Sequence, residues 1–105
     1  MGLLSFLFGS GNNQLEDIKT ALNAGAVIVD VRSSAEYASG HAKGSINMPL
    51  PTLQSGLKKL KNASSVVLCC RSGARAASAQ NMLSGHGIQS INAGSWQNVE
   101  SALKN

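Results

Sequence analysis

Charged and aromatic residues are scarce in this chain, and acidic residues are the scarcest charged group. Among 105 residues there are five Asp and Glu, nine Lys and Arg, and 4% aromatics, so the formal net charge is +4. A basic balance of this kind favours small anions over cations as ligands. The run KKLK at residues 58–61 has no interleaved aromatics and is typical of the solvated face of a helix, so we expect no nucleic-acid binding.

Cysteine is also rare, since the chain contains only Cys69 and Cys70. Disulfide geometry needs Cα atoms about 5.5 Å apart, which adjacent residues do not reach, so this pair is not an ordinary structural bridge. We therefore expect two free thiols in a reducing compartment and a cytoplasmic protein. The distant His41 and His86 and the adjacent cysteines lack the spacing of metal ligands, so we expect no metal site.

Long apolar runs are missing too. The apolar start Met1–Gly9 is too short to span a bilayer and lacks the basic residues of a secretory signal, and Phe6 stands where N-myristoylation needs Ser or Thr. It either packs on the domain or forms a tail that touches a partner or a membrane surface; we favour packing. We treat residues 1–12 as an apolar N-terminal extension and residues 13–105 as one domain, because 43% apolar residues are typical of a globular chain of this length.

The remaining sequence alternates between patterns of helices and strands. Leu15, Ile18, Ala21 and Leu22 have the spacing of one helix face over residues 13–25, with Asn13 and Glu16 as a capping pair. Short strands are predicted at residues 26–31, 45–50, 65–70 and 88–92, and further helices at residues 34–39, 51–62, 75–84 and 96–105. This alternation predicts an α/β fold with a parallel sheet covered by helices on both faces, whose ligands gather beyond the carboxyl ends of the strands.

The stretch LCCRSGAR at residues 68–75 lies at such a strand end, directly before a helix. Peptide N–H groups at a helix N-terminus lack intrahelical partners and can converge on an anion, so a thiolate placed there is stabilised. A cysteine pKa lowered from about 8.5 to about 7 corresponds to roughly 2 kcal/mol of such stabilisation. Arg71 and Arg75 add positive charge, and the small Ser72 and Gly73 let the backbone curl closely around a ligand.

Two reading frames remain possible for this stretch. Counted from Cys70 it is C-x4-R, and counted from Cys69 it is C-x5-R. Cys69 continues the apolar run before it and is expected to be a core thiol, whereas Cys70 is followed by Arg, Ser and Gly and is expected to be the nucleophile. A minor alternative is that Cys69 resolves an oxidised Cys70 through a strained disulfide.

The six residues CRSGAR, at 70–75, resemble the active-site loop of single-domain rhodaneses, the thiosulfate sulfurtransferases. The upstream stretch VIVDVRSSAEYASGHAKGSINMPL is similar to the rhodanese pattern of D-x-R, E-Y, G-H, G-x-I-N and Pro in that order. The similarity runs from about Leu15 to Trp96; it departs at residues 92–98, where Ala93-Gly94 replaces the frequent Gly-Gly pair. The resemblance implies a rhodanese-like sheet of about five parallel strands.

The same resemblance implies an activity and its residues. Cys70 would attack the outer sulfur of thiosulfate, release sulfite and hold a persulfide, which cyanide or a cellular thiol would then accept in ping-pong fashion. The donor and the persulfide would be bound by the loop residues Arg71, Ser72, Gly73, Ala74 and Arg75. No metal or organic cofactor is implied, and we expect a monomer with a small anionic donor and, as a further option, a protein sulfur acceptor.

Four upstream residues match family positions, and we interpret them mainly as structural. Asp30 could accept loop amides, Arg32 and Glu36 could pair across a turn, and His41 is expected to be a hydrogen-bonded turn residue. Two functions compete with sulfur transfer. One is a non-catalytic persulfide carrier or redox module; the other is a Cdc25-like cysteine phosphatase that would use Cys69, with Arg75 as its phosphate clamp.

Overall fold

The computed structural model describes residues 14–104, and within them helices and strands alternate as the sequence predicts. The Asn13 cap, the apolar start Met1–Gly9 and the boundary at residue 12 lie outside this range. No helix within residues 14–104 is long and apolar enough to cross a membrane. The elements in chain order are α1 (Gln14–Asn23), β1 (Val27–Asp30), α2 (Ser34–Ala38), β2 (Ile46–Asn47), a 3₁₀ helix (Leu50–Leu60), β3 (Val66–Cys70), α3 (Ala74–Gly85), β4 (Ser90–Ser95) and α4 (Trp96–Lys104).

The strands form one parallel sheet in the order β2-β1-β3-β4. Within the described part of the chain the sheet has four strands, the four that the hydrophobic pattern predicts, against the five or so that the family resemblance implies. All their carboxyl ends lie at one edge, and β3 ends there with Cys70. The loop that carries Arg71, Ser72 and Gly73 therefore projects from the sheet where ligands of open α/β sheets bind.

Both faces of the sheet are covered, because its central strands alternate apolar side chains between two core clusters. One cluster joins the sheet to the 3₁₀ helix and α3, and the other joins it to α1 and α4. In β3, Leu68 belongs to the first cluster and Val67 to the second, as the two-residue period of a strand requires. The prediction of a doubly covered parallel sheet is confirmed.

Two local features differ from the sequence expectation or refine it. Residues 51–62 were expected to be an ordinary helix, but Leu50–Leu60 form a 3₁₀ helix that still buries Leu53, Leu57 and Leu60. Gly56, in the interior of this segment, is a poor former of α-helix, which is consistent with the tighter winding. The predicted capping box before α2 is present, with Ser33 and Glu36 satisfying each other's backbone N–H groups.

The pairing of β3 with β4 contains an irregularity next to the loop. Leu68 pairs with Asn92, but Cys70 pairs with Ser95, so β4 has one extra residue over this interval. Such a bulge bends the strand and redirects its side chains. Gly94 lies within it at a φ of +79°, in the left-handed region that favours glycine. The bulge thus lies directly beside the residues that follow Cys70.

Candidate active site

The two cysteines lie on opposite faces of β3. Cys69 is 0% exposed and belongs to the cluster under α1 and α4, while Cys70 is 1% exposed and belongs to the other cluster. Burial raises the pKa of the Cys69 thiol to about 12, and the nearby Asp30 charge adds to the rise more than Arg32 offsets it. Cys69 is therefore the core thiol that its apolar neighbours predict. Because successive strand side chains point to opposite faces, a disulfide between the two cysteines would require the strand to distort, and the resolving role of Cys69 stays a minor alternative.

Cys70 Sγ lies in a cradle of peptide N–H groups at the start of α3. The Gly73 N–H donates to Sγ at 2.9 Å. Burial alone would raise the pKa of Cys70, but hydrogen bonds from the backbone N–H groups of Ala76, Gly73, Ser72 and Arg75 outweigh it, and the pKa lies below its ordinary value. A lowered pKa favours the thiolate, which is the nucleophilic form of a cysteine.

The cradle differs in detail from the residues that the sequence singles out. The backbone N–H groups of Ser72, Gly73 and Arg75 take part as expected, and that of Ala76, one residue beyond the predicted loop, joins them. Ala74 lies in the first turn of α3, and Arg71 is exposed next to the cradle. No carboxylate of a described residue forms a salt bridge with Arg71, so its charge is available to a small anion.

Gly73 has the conformation on which the cradle depends. Its φ is +104°, and a Cβ at this position would lie 3.2 Å from the Gly94 Cα, so only glycine fits between the loop and the β4 bulge. The Asn92 side chain then fixes this glycine: Nδ2 donates to the Gly73 carbonyl at 2.9 Å, and Oδ1 accepts from the Gly94 N–H at 2.8 Å. Asn92 therefore connects the sulfur cradle to the adjacent strand.

Arg75 makes a two-pronged ion pair with Glu36. Its Nη1 and Nη2 donate to the two carboxylate oxygens at 2.6 and 3.0 Å, and the side chains are 37% and 33% exposed. The hydrogen bond from Arg75, with those from Ser33, lowers the Glu36 pKa to about 2. Arg75 thus ties the end of the loop to α2, and two of its five N–H donors are engaged by this carboxylate.

The expected pairing of Arg32 with Glu36 is wrong, because Arg32 pairs with Asp30 instead. The guanidinium donates to the Asp30 carboxylate at 2.8 to 3.0 Å and to the Gly40 carbonyl at 2.6 Å. Both members are buried, and the Asp30 hydrogen bonds raise the pKa of Arg32. Trp96 covers the pair with its ring centre 5.0 Å from the guanidinium carbon. Asp30 also accepts the Arg32 N–H, which fixes the chain where it leaves β1.

The two histidines lie in different surroundings. His41 Nδ1 is hydrogen-bonded to the Tyr37 carbonyl at 2.7 Å, and its ring stacks on the Tyr37 ring at 3.7 Å, which confirms a hydrogen-bonded turn residue. His86 is exposed at the end of α3. No group of three or more metal-ligating side chains occurs among residues 14–104.

Sequence reasoning missed Asn92 and the partner of Arg75. The sequence pattern places Asn92 only at the end of a predicted strand. The signal that could have identified it is the change from apolar Ile91 to a polar amide directly before Ala93-Gly94. The capping box of Glu36 is predicted correctly, but its ion-pair partner is Arg75 and not the expected Arg32. Both contacts join residues distant in sequence, and no local pattern encodes them.

Comparisons with known proteins agree with this geometry. A family model described as the rhodanese-like domain matches residues 14–102. The thiosulfate:glutathione sulfurtransferase of Saccharomyces cerevisiae is 32% identical over 88 residues, which cover 69% of this chain and 63% of that protein. The chain thus spans less than two thirds of this curated relative.

Solved structures give the same result. The reduced CoADR-RHD of Bacillus anthracis has a TM-score of 0.71 at 28% identity, over 86% of this chain and 16% of that one. A rhodanese-related protein of Thermoplasma volcanium has a TM-score of 0.66 at 26% identity, over 86% and 87% of the two chains. With the family match across nearly all described residues, the chain belongs to the rhodanese-like domain family.

Proposed function

We propose that this protein transfers sulfane sulfur from an anionic donor of the thiosulfate type to a thiophilic acceptor, through a persulfide on Cys70. The observation that carries the proposal is the position of Cys70 Sγ, which accepts the Gly73 N–H at 2.9 Å at the beginning of α3. The same N–H groups that lower the pKa of the thiol also stabilise the negative charge of a persulfide.

In the first step the Cys70 thiolate attacks the outer sulfur of thiosulfate. A bond forms between Sγ and that sulfur, the sulfur–sulfur bond of thiosulfate breaks, and its electron pair leaves with sulfite. The persulfide anion that remains keeps the single negative charge of the original thiolate. Arg71, exposed beside the cradle, attracts the doubly negative donor, whereas Arg75 is held by Glu36.

In the second step a thiolate or cyanide attacks the outer persulfide sulfur. The bond between Sγ and this sulfur breaks, and Cys70 leaves as the thiolate that begins the next cycle. The yeast relative is a thiosulfate:glutathione sulfurtransferase, which supports this donor and a thiol acceptor for our chain.

Intact mass spectrometry tests the proposal directly. Thiosulfate should add the mass of one sulfur atom to the wild-type protein, cyanide should remove it, and Cys70→Ser should not gain it. An adduct that persists in Cys70→Ser but disappears in Cys69→Ser would contradict the assignment of the nucleophile.

The two competing functions make different predictions in the same experiment. A carrier would load sulfur once but would not turn over when cyanide or small thiols are supplied. A phosphatase would hydrolyse an aryl phosphate through Cys69, yet this thiol faces the cluster under α1 and α4, away from the loop amides, and burial raises its pKa to about 12. The geometry therefore favours sulfur transfer through Cys70.

A further inference from the structure

The edge of the sheet at which the strands begin, the amino edge, lies opposite the edge that carries Cys70. The 3₁₀ helix starts beside the end of β1, where the Leu50 N–H donates to the Val31 carbonyl, and runs back to the start of β3. Helix α1 ends where β1 starts, and α4 ends beside it, since Asn23 and Leu103 line the same surface groove. The 3₁₀ helix, α1 and α4 therefore all end at the amino edge.

Basic side chains collect at this amino edge. Lys58 and Lys59 lie in the last turn of the 3₁₀ helix, and Lys61 follows directly as its C-cap. Lys104 lies in the last turn of α4. All four side chains are exposed, and no carboxylate of a described residue forms a salt bridge with any of them. The described part of the chain thus presents four positive charges to the solvent at this edge.

Acidic side chains are absent from the amino edge within residues 14–104. The connections that form it, residues 24–26, 61–65 and 86–89, contain no Asp or Glu, and neither do the last turns of the helices that lead into it. The acidic residues lie in the first turn of α1, at the end of β1, in α2 and in the middle of α4: Glu16, Asp17, Asp30, Glu36 and Glu100. A surface that carries charge of one sign attracts partners of the other sign, so the amino edge favours anionic partners.

The composition of the amino edge indicates which kind of anion fits it. Its cations are all lysines, and the same connections and last turns contain no Arg and no aromatic residue. Protein interfaces are depleted in Lys and enriched in Arg and aromatics, and nucleic acids are bound mainly through Arg and aromatic side chains. Anionic lipid headgroups attract any cation close to them, so lysines suffice. Leu103, 44% exposed beside Lys104, adds an apolar side chain that can enter the headgroup region.

We infer that the amino edge binds the surface of an anionic membrane through Lys58, Lys59, Lys61 and Lys104. In this orientation the bilayer lies against the edge at which the strands begin, and the loop after Cys70 is directed toward the solution on the opposite side. Membrane contact and sulfur transfer therefore use different ends of the molecule, and the failure of one would leave the other intact.

Co-sedimentation of the full chain with lipid vesicles tests this surface. One set of vesicles is phosphatidylcholine alone, and in the other about a third of the lipid is phosphatidylserine. The test variant is Lys58→Gln/Lys59→Gln. The matched control is Lys19→Gln/Arg71→Gln, which removes the same number of positive charges from the formal net charge of +4 but takes them from α1 and from the loop after Cys70.

We expect the wild type to bind the anionic vesicles much more tightly than the neutral ones. Each lysine at the surface contributes about fivefold, so the test variant should bind the anionic vesicles about 25-fold more weakly, and the control at most about twofold. Equal losses in the two variants would show that net charge alone matters and would overturn the assignment to the amino edge. Equal binding to both kinds of vesicle would instead point to apolar contact, as from Met1–Gly9. Binding to polyglutamate or duplex DNA without binding to vesicles would overturn the choice of a lipid surface.

A measurement on the wild type keeps the surface testable if the variants do not fold. Lysine side chains are acetylated with the N-hydroxysuccinimide ester of acetic acid, in solution and on the anionic vesicles, and the modified positions are identified by peptide mass spectrometry. Lys58, Lys59, Lys61 and Lys104 should react more slowly on the vesicles, while Lys19 keeps its rate. Uniform protection of all lysines, or protection of Lys19 instead, would contradict contact through the amino edge.

Discussion

Replacing Asn92 by alanine should raise the pKa of Cys70, although Asn92 does not touch the sulfur. The amide holds the Gly73 carbonyl at 2.9 Å and the Gly94 N–H at 2.8 Å, and Gly73 in turn donates its own N–H to Sγ at 2.9 Å. Without Asn92, the left-handed Gly73 is free to turn its N–H away from the sulfur. The perturbation thus acts through one glycine on one hydrogen bond.

The magnitude follows from that bond. A hydrogen bond to a charged group contributes about 1.5 to 3 kcal/mol, and one pKa unit corresponds to about 1.4 kcal/mol. Complete loss of the Gly73 contact would therefore raise the Cys70 pKa by about one to two units. A raised pKa means less thiolate at neutral pH, so alkylation at pH 7 should slow by up to roughly tenfold for each unit.

The assay is the pH dependence of alkylation by iodoacetamide, followed by intact mass. This reagent is neutral, so charge near the loop does not bias its approach. Cys69 is not expected to react, because burial raises its pKa to about 12 and leaves it protonated over the range of the assay. Gln80→Ala is the matched control, since it also removes an amide bond to a β4 carbonyl, that of Ser90, and should lower stability without moving the Cys70 pKa. If Asn92→Ala and Gln80→Ala shift the pKa equally, or neither shifts it, Asn92 does not position the cradle.

Three further predictions concern charge, pH and the second thiol. Arg71→Gln should raise KM for thiosulfate about threefold to tenfold and weaken the dependence of this KM on ionic strength. The rate of iodoacetamide alkylation should change little. An unaltered salt dependence would mean that another residue attracts the donor. Because its folded pKa is about 2 against an ordinary 4.5, Glu36 contributes stability above about pH 4.5 that is lost as pH falls toward 2. Tm should therefore drop more steeply over that range in wild type than in Glu36→Gln, and parallel curves would disprove the linkage. Cys69→Ala should cost about 1 kcal/mol in unfolding by urea, through lost packing, yet still load one sulfur from thiosulfate; loss of loading in folded protein would give Cys69 a part in the chemistry.

The sequence predicts what depends on local pattern and leaves out what depends on pairing across the fold. Val66 to Cys70 form an unbroken buried run, and the shift to Arg, Ser and Gly after it marks the end of the strand, so the chain alone predicts where the loop begins. The choice of Arg75 rather than Arg32 as the partner of Glu36 does not follow from the chain alone. Asp30 and Arg32 lie two residues apart at a strand end and satisfy each other first.

The hydrogen bond from Asn92 to Gly73 likewise cannot be predicted without the register of β4. Its amide reaches Gly73 because β4 has one extra residue opposite Leu68 to Cys70, an insertion that propensity and periodicity do not encode. The resemblance to rhodaneses predicted a parallel sheet flanked by helices correctly. It overstated the strand count of the described part by about one.

The arrangement of Cys69 and Cys70 on opposite faces of β3 has a consequence for oxidative stress. Since these are the only cysteines of the chain, a sulfenic acid formed on Cys70 has no thiol on its own face of β3 with which to condense. Recovery must come from a thiol in solution, the same kind of molecule that would accept sulfur. Depletion of the surrounding thiols would therefore stop the proposed reaction in two ways. It would remove the sulfur acceptor, and it would leave the Cys70 sulfenic acid without a reductant.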